Sequence, residues 1–152
     1  MSNLTYSHTI TIAVPVEQVF AIAADFTKDP RWRSEVHEMR HLADGPISIG
    51  SRFREQSTVF GQQMETTTVV TAYDVNRRAV AEMVSGAPSL TSLVSTRTFA
   101  AVPGGTQFTY TLATEQEAGF VLRLLQPIFY RLYGARLRKY VETLKAMLEQ
   151  AR

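Results

Sequence analysis

The sequence predicts an α+β fold: a curved antiparallel sheet of six to seven strands wrapped around a long C-terminal helix, with two short helices after the first strand. Three observations predict it. Alternating, β-type signals fill the chain from Val36 to Ala113. A helical period runs from Phe120 to the C-terminus. An alternating N-terminal stretch passes straight into a helical one. At 152 residues, a single domain over 1–152 is expected, large enough to bury roughly two thirds of its unfolded surface.

In YSHTITIAV, residues Tyr6, His8, Ile10, Ile12 and Val14 share one parity, opposite Ser7, Thr9 and Thr11, as in a half-buried strand. VPVEQVFAIAADF then spaces Val16, Val19, Phe20 and Ala23 helically, with Pro15 suited to the first turn. A second short helix is expected around KDPRWRSE, where Asp29 can cap and Pro30 can start the turn. Gly45-Pro46 precedes a strand in GSRFREQSTVF, and Gly61 turns it into QMETTTVVTAY. DVNRR turns into AVAEMVS; Gly86 and Pro88 precede SLTSLVSTRTFA, and PGGT connects tightly to QFTYTLA. Links this short favour an antiparallel meander.

The last helix carries Arg123, Pro127, Arg131, Gly134, Arg138, Glu142, Lys145, Glu149 and Arg152 on one stripe. Val121, Leu125, Ile128, Leu132, Leu137, Val141, Leu144 and Leu148 lie broadly opposite. Pro127 and Gly134 are thereby expected on the solvent side, bending the helix around what it covers.

Composition narrows the function. The chain has no cysteine, so disulfides, thiolate nucleophiles and Cys-ligated metals are excluded. MSNLTYSHTITI lacks the pattern of an export signal, and Arg123, Gln126 and Arg131 interrupt the one long apolar stretch. No transmembrane segment and a cytoplasmic location are expected. A net charge of +2 argues against nucleic acid as a partner. Arg131, Arg136, Arg138 and Lys139 read as a solvated helix face, with an acidic partner or membrane surface as the alternative. His37 and His41 form no His-x-x-x-His pair and His8 reads as a strand histidine, so no metal is expected; no cofactor fingerprint, Walker loop or nucleophile elbow is present either.

AVPVEQVFAIAADFTKDPRW, IGSRFRE, VVTAYDVNRR, FAAVPGGTQFTYT and LKAMLEQ, in this order, resemble the START-like superfamily, also called SRPBCC, and within it the polyketide cyclase/dehydrase-like subgroup. The resemblance spans nearly the whole chain. It implies the helix-grip fold, with an apolar cavity between sheet and C-terminal helix that takes a lipid, polyketide or related small molecule. Fold membership alone establishes no reaction.

Leu125, Ile128, Phe129, Leu132 and Tyr133 are the candidate roof of that cavity. Strand parity makes Phe53, Met64, Thr66, Thr68, Met83, Phe108 and Tyr110 candidate lining, the threonines offering hydroxyls and the methionines adaptable surface. Trp32 stands where the family often carries an aromatic at the cavity mouth; a packing anchor is the equal alternative. Glu55 shares parity with Phe53, and Arg97 with Leu93 and Phe99. If inward, Glu55, Arg97 and Tyr110 are the candidate acid-base groups, although a one-residue bulge would return either charge to water, which is the expectation. Two uses follow for the cavity: carriage of an apolar or amphipathic ligand, or cyclase/dehydratase chemistry on a poly-β-keto chain. The absence of arginine from QMETTTVVTAY counts against the second. A protein-interaction or stress-related module is the third reading.

Overall fold

The computed structural model describes residues 2–86, 90–117 and 119–151. The turn read at Pro88 and the helix's terminal Arg152 lie outside them. Strand β1 (Ser2–Ile12) leads into helix α1 (Val16–Ala23) and a 3-10 helix (Phe26–Arg31). Strands β2 (Val36–His41), β3 (Arg52–Val59), β4 (Gln62–Asp74), β5 (Arg78–Ser85), β6 (Ser92–Val102) and β7 (Gly105–Gln116) follow, then helix α2 (Phe120–Gln150). All seven strands form one antiparallel sheet in the order β1-β7-β6-β5-β4-β3-β2. Each pairs with its sequence neighbour except β1, which joins β7 from Ser2↔Gln116 to Ile12↔Thr106. The fold is therefore an α+β sheet of seven strands with a long C-terminal helix, as the periodicity predicts.

Local chemistry sets the junctions. Gly105 opens β7 at the point where β1 ends, and a Cβ there would run into the Ile12 carbonyl oxygen, so only glycine fits. Asp25, not Asp29, caps the 3-10 helix: its Oδ1 accepts from the Thr27 amide at 3.1 Å and the Thr27 hydroxyl at 2.6 Å. This frees the Asp29 carboxyl, which turns into the protein interior. Bulges interrupt β2 between Val36 and Glu38, β4 between Val70 and Ala72, and β5 between Met83 and Ser85. Such irregularities increase twist and curl the sheet.

Helix α2 divides into two halves. From Leu137 onward, Leu137, Tyr140, Val141, Leu144 and Leu148 are buried on the sheet side, as the stripe predicts. Before Leu137 the stripe fails: Val121, Leu125, Ile128 and Leu132 are exposed to solvent. The ring contacts explain the difference. Tyr130 stacks on Tyr6 of β1 at 5.3 Å between ring centroids, and Tyr133 meets the same ring edge-on at 5.0 Å. These aromatic contacts turn Phe129 and Tyr133 inward, leave Leu122 half-exposed at the cavity edge, and turn Leu125, Ile128 and Leu132 out. Gly134 consequently sits half-buried beside Tyr6, not on the solvent face. Among the described residues no helix is long and apolar enough to cross a membrane.

Candidate functional site

Between the concave face of the sheet and the first half of α2 lies a cavity of about 540 Å³. Strand register layers its walls. At the base are packed rings: Phe53 touches Phe26 at 5.2 Å and His41 at 4.8 Å, while Phe108 touches Phe99 at 5.2 Å and Trp32 at 6.2 Å. Two residues further along each strand, on the same face, come Glu55 of β3, Arg97 of β6 and Tyr110 of β7, with Arg97 opposite Tyr110 in the ladder. The next positions on that face are Ser57, Ser95 and Leu112, and beyond them Val59, Leu93 and Thr114. A charged floor thus rests on an aromatic base, and the walls become more apolar upward.

The floor is a network of two guanidiniums and three carboxyl groups. Arg97 Nη1 donates to Asp29 Oδ1 at 2.8 Å and to the Ala23 carbonyl at 2.9 Å, and its Nη2 donates to Asp29 Oδ2 at 2.6 Å. Arg33 Nη1 donates to Asp29 Oδ2 and Glu55 Oε1, both at 2.9 Å, and Nη2 donates to Glu35 Oε2 at 3.1 Å. Asp29 thereby holds both arginines. Aromatic faces complete the enclosure: the Arg97 guanidinium carbon lies 4.5 Å from the Phe26 ring centroid, 5.0 Å from that of Trp32 and 5.2 Å from that of Tyr110. Burial disfavours each guanidinium charge, and the adjoining carboxyl groups outweigh it, so Arg33 and Arg97 both bind their protons more tightly than usual.

Helix α2 is tied to this network by hydroxyls. Tyr133 donates to Glu35 Oε2 at 2.7 Å and Tyr140 to Glu35 Oε1 at 3.2 Å. Burial, reinforced by Glu35, raises the Tyr133 phenol well above its ordinary value of 10.0. Burial also raises Tyr110, against the opposing pull of Arg33 and Arg97. Both stay protonated in the folded state at pH values where the unfolded chain ionises its tyrosines. Their stabilising contribution is complete below pH 10 and declines as pH rises from there towards the folded-state values. Denaturant midpoints measured from pH 8 to 11 should therefore hold steady and then fall. Each of these tyrosines contributes up to about 1.4 kcal/mol per pH unit. Tyr133→Phe should flatten that fall; an unchanged slope would exclude Tyr133 as a cause.

Three buried hydroxyl-bearing groups remain uncommitted. Among the described residues, Ser57 Oγ and Ser95 Oγ are buried without a hydrogen-bond partner, and the Tyr110 hydroxyl makes no hydrogen bond. Ser57 and Ser95 both line the cavity, as does Tyr110.

Of the residues singled out from sequence, Met64, Thr66, Thr68, Phe129, Tyr133, Tyr110, Glu55 and Arg97 line the cavity. Glu55 and Arg97 are inward instead of solvated because β3 and β6 hold their alternation through these positions, and each charge meets a partner there. Phe53, Phe108 and Trp32 are buried beneath the floor as packing, and Trp32 sits against Tyr110 at 5.6 Å between centroids. Met83 is partly exposed near the end of β5 and does not line the cavity. Leu125, Ile128 and Leu132 point away from it.

Sequence reading missed the site role of Asp29, inside the 3-10 helix, and of Arg33 and Glu35, in the connection from it to β2. The available signal was a charge-dense KDPRWRSE around the only tryptophan. Ser57 and Ser95 were legible from parity, each two positions from an inward charge.

A seven-stranded antiparallel sheet gripping a C-terminal helix over a cavity with a polar floor defines the helix-grip class of proteins. The model of the family described as "Polyketide cyclase / dehydrase and lipid transport" matches residues 3–149. The chain belongs to that family. Solved structures agree at the level of fold. A protein of Thermus thermophilus superposes with a TM-score of 0.81 at 18% identity, over 97% of this chain and 99% of that one. A START superfamily protein from Mycobacterium smegmatis gives 0.78 at 22% identity, over 97% and 99% of the two chains. The Zhui aromatase/cyclase from Streptomyces sp. R1128 gives 0.80 at 15% identity, over 98% and 95%. No curated protein matches in sequence.

Proposed function

We propose that this protein binds an amphipathic small molecule, with an oxygen-bearing end at the cavity floor and an apolar body along the upper walls. One observation carries the reading: in a cavity of about 540 Å³, three uncommitted hydroxyls, those of Tyr110, Ser57 and Ser95, stand on a charged floor whose own hydrogen bonds are largely internal. Buried hydroxyls without partners favour a ligand that supplies carbonyl or hydroxyl oxygens. Leu93, Leu112, Met64 and Phe129 offer the apolar contact. Burying ~200 Å² of ligand there contributes about 5 kcal/mol before the cost of association.

The same site supports a second reading, cyclase/dehydratase chemistry. Glu55, Arg97 and Tyr110 line one floor, and a protonated Tyr110 suits polarisation of a ligand carbonyl. The commitment of both Arg97 Nη atoms to Asp29 and Ala23 weighs towards carriage, because that arginine has few donors left for a substrate.

Native mass spectrometry of the purified protein, followed by titration with hydroxylated aromatic and fatty-acid probes, tests the proposal. A 1:1 complex weakened by Tyr110→Phe is the expected result. A panel in which no apolar or amphipathic compound binds would overturn both readings, and turnover of a poly-β-keto probe would favour the second.

A further inference from the structure

The first half of α2 carries a second apolar face, turned away from the cavity. Phe120, Val121, Leu124, Leu125, Ile128 and Leu132 are all exposed, Phe120 by 77%, Leu124 by 64% and Ile128 by 56%. At 100° per residue their directions span about 140° and point opposite to Leu137, Tyr140 and Leu144, the residues that bury the second half. A contiguous exposed aliphatic ridge of this kind marks a contact surface.

Charge indicates the partner. Between Gly119 and Val141 the helix carries Arg123, Arg131, Arg136, Arg138 and Lys139 and no acidic residue. All five are exposed, and among the described residues none makes an ion pair. Arg136 is held over the Phe60 ring at 4.7 Å, on the turn that follows β3, which fixes this cation where the helix meets the sheet. A second copy of the chain would bring five cations against five, with only Glu117 and Glu142 at the two ends of the segment to offset them. The ridge is also convex, a single helix face with no groove to receive a shaped partner.

We propose that α2 docks this protein on an anionic lipid surface, lying in the interfacial plane with the ridge among the acyl chains and the arginines at the lipid phosphates. Amphipathic helices with a basic polar margin bind bilayers in this way, and each juxtamembrane cation strengthens the attraction. The opposite face of the same segment, through Leu122, Phe129 and Tyr133, lines the cavity. Docking thus sets the cavity's helical wall directly on the membrane.

Co-sedimentation of the full chain with vesicles tests this. Binding is expected to phosphatidylcholine vesicles holding about 30 mol % phosphatidylserine, with much weaker binding to phosphatidylcholine alone and loss at about 0.5 M salt. Arg131→Gln with Arg138→Gln should weaken binding by about tenfold or more, and Leu124→Ser with Ile128→Ser by at least as much. Both pairs are exposed, so thermal midpoints should stay near that of the unsubstituted protein. Absence of vesicle binding, or binding indifferent to both pairs and to lipid charge, would overturn the proposal. So would a dimer seen by light scattering and dissolved by the Leu124/Ile128 pair without any vesicle binding, which would assign the ridge to a second copy.

Discussion

Asp29→Ala should cost about 3–5 kcal/mol of folding stability, the largest effect expected of a single substitution in this chain. Asp29 is fully buried and Arg97 is 1% exposed, so removing the carboxyl leaves a guanidinium out of water with only the Ala23 carbonyl as acceptor. Arg33 is better placed, because Glu35 and Glu55 still accept from it. For a domain of this size the loss corresponds to a fall of roughly 6–20 °C in Tm. Urea denaturation with an unchanged slope would confirm it. A loss under about 1 kcal/mol would mean that Arg97 is rescued elsewhere and that the pair does not organise the floor. The matched apolar replacement separates the two causes: Asp29→Leu with Arg97→Met removes both charges and should recover most of the loss, since a buried pair is costly chiefly when one partner is left alone.

Ala81→Trp should abolish most ligand binding while sparing the fold. Ala81 lies on β5 opposite Ser95, lines the cavity, and is 3% exposed. An indole at this position projects into space that the proposed ligand would occupy. If it displaces half of a ~200 Å² contact, the loss is about 2–3 kcal/mol, or roughly thirtyfold to 140-fold in Kd. A fluorescent probe such as anilinonaphthalene sulfonate, titrated against both proteins, reads this directly. The stability cost should stay within the ~1–3 kcal/mol usual for added volume. A larger cost with unaltered probe affinity would show that the side chain is forced into core and that ligands sit elsewhere. Leu132→Trp makes an instructive contrast. Leu132 is half-exposed on the outward face of α2, so the substitution should change neither probe affinity nor stability appreciably.

How much of this was legible beforehand depends on the range of the interaction involved. Period-two alternation and short turns describe neighbours in the chain, and they were enough for six to seven strands and their meander order. Parity nominates the floor residues Glu55, Arg97 and Tyr110, but parity holds only where the strand runs without a bulge. A single bulge reverses a side chain, and bulges occur in β4, one strand away from β3. Asp29 shows the limit most clearly. As an isolated letter in KDPRWRSE it reads as a cap; its actual partner, Arg97, lies 68 residues away on β6.

Periodicity and local turn chemistry were thus sufficient to specify the elements of this protein, the meander, the family resemblance and the buried face of α2 beyond Leu137. Contacts between distant parts of the chain set the rest: the Asp29–Arg33–Arg97 floor, the place of Trp32 beneath it, and the outward turn of Ile128 and Leu132. A helix with apolar residues on nearly every side has no preferred face of its own. Tyr6, contributed by the first strand, stacks with Tyr130 and Tyr133 and so settles which face is covered.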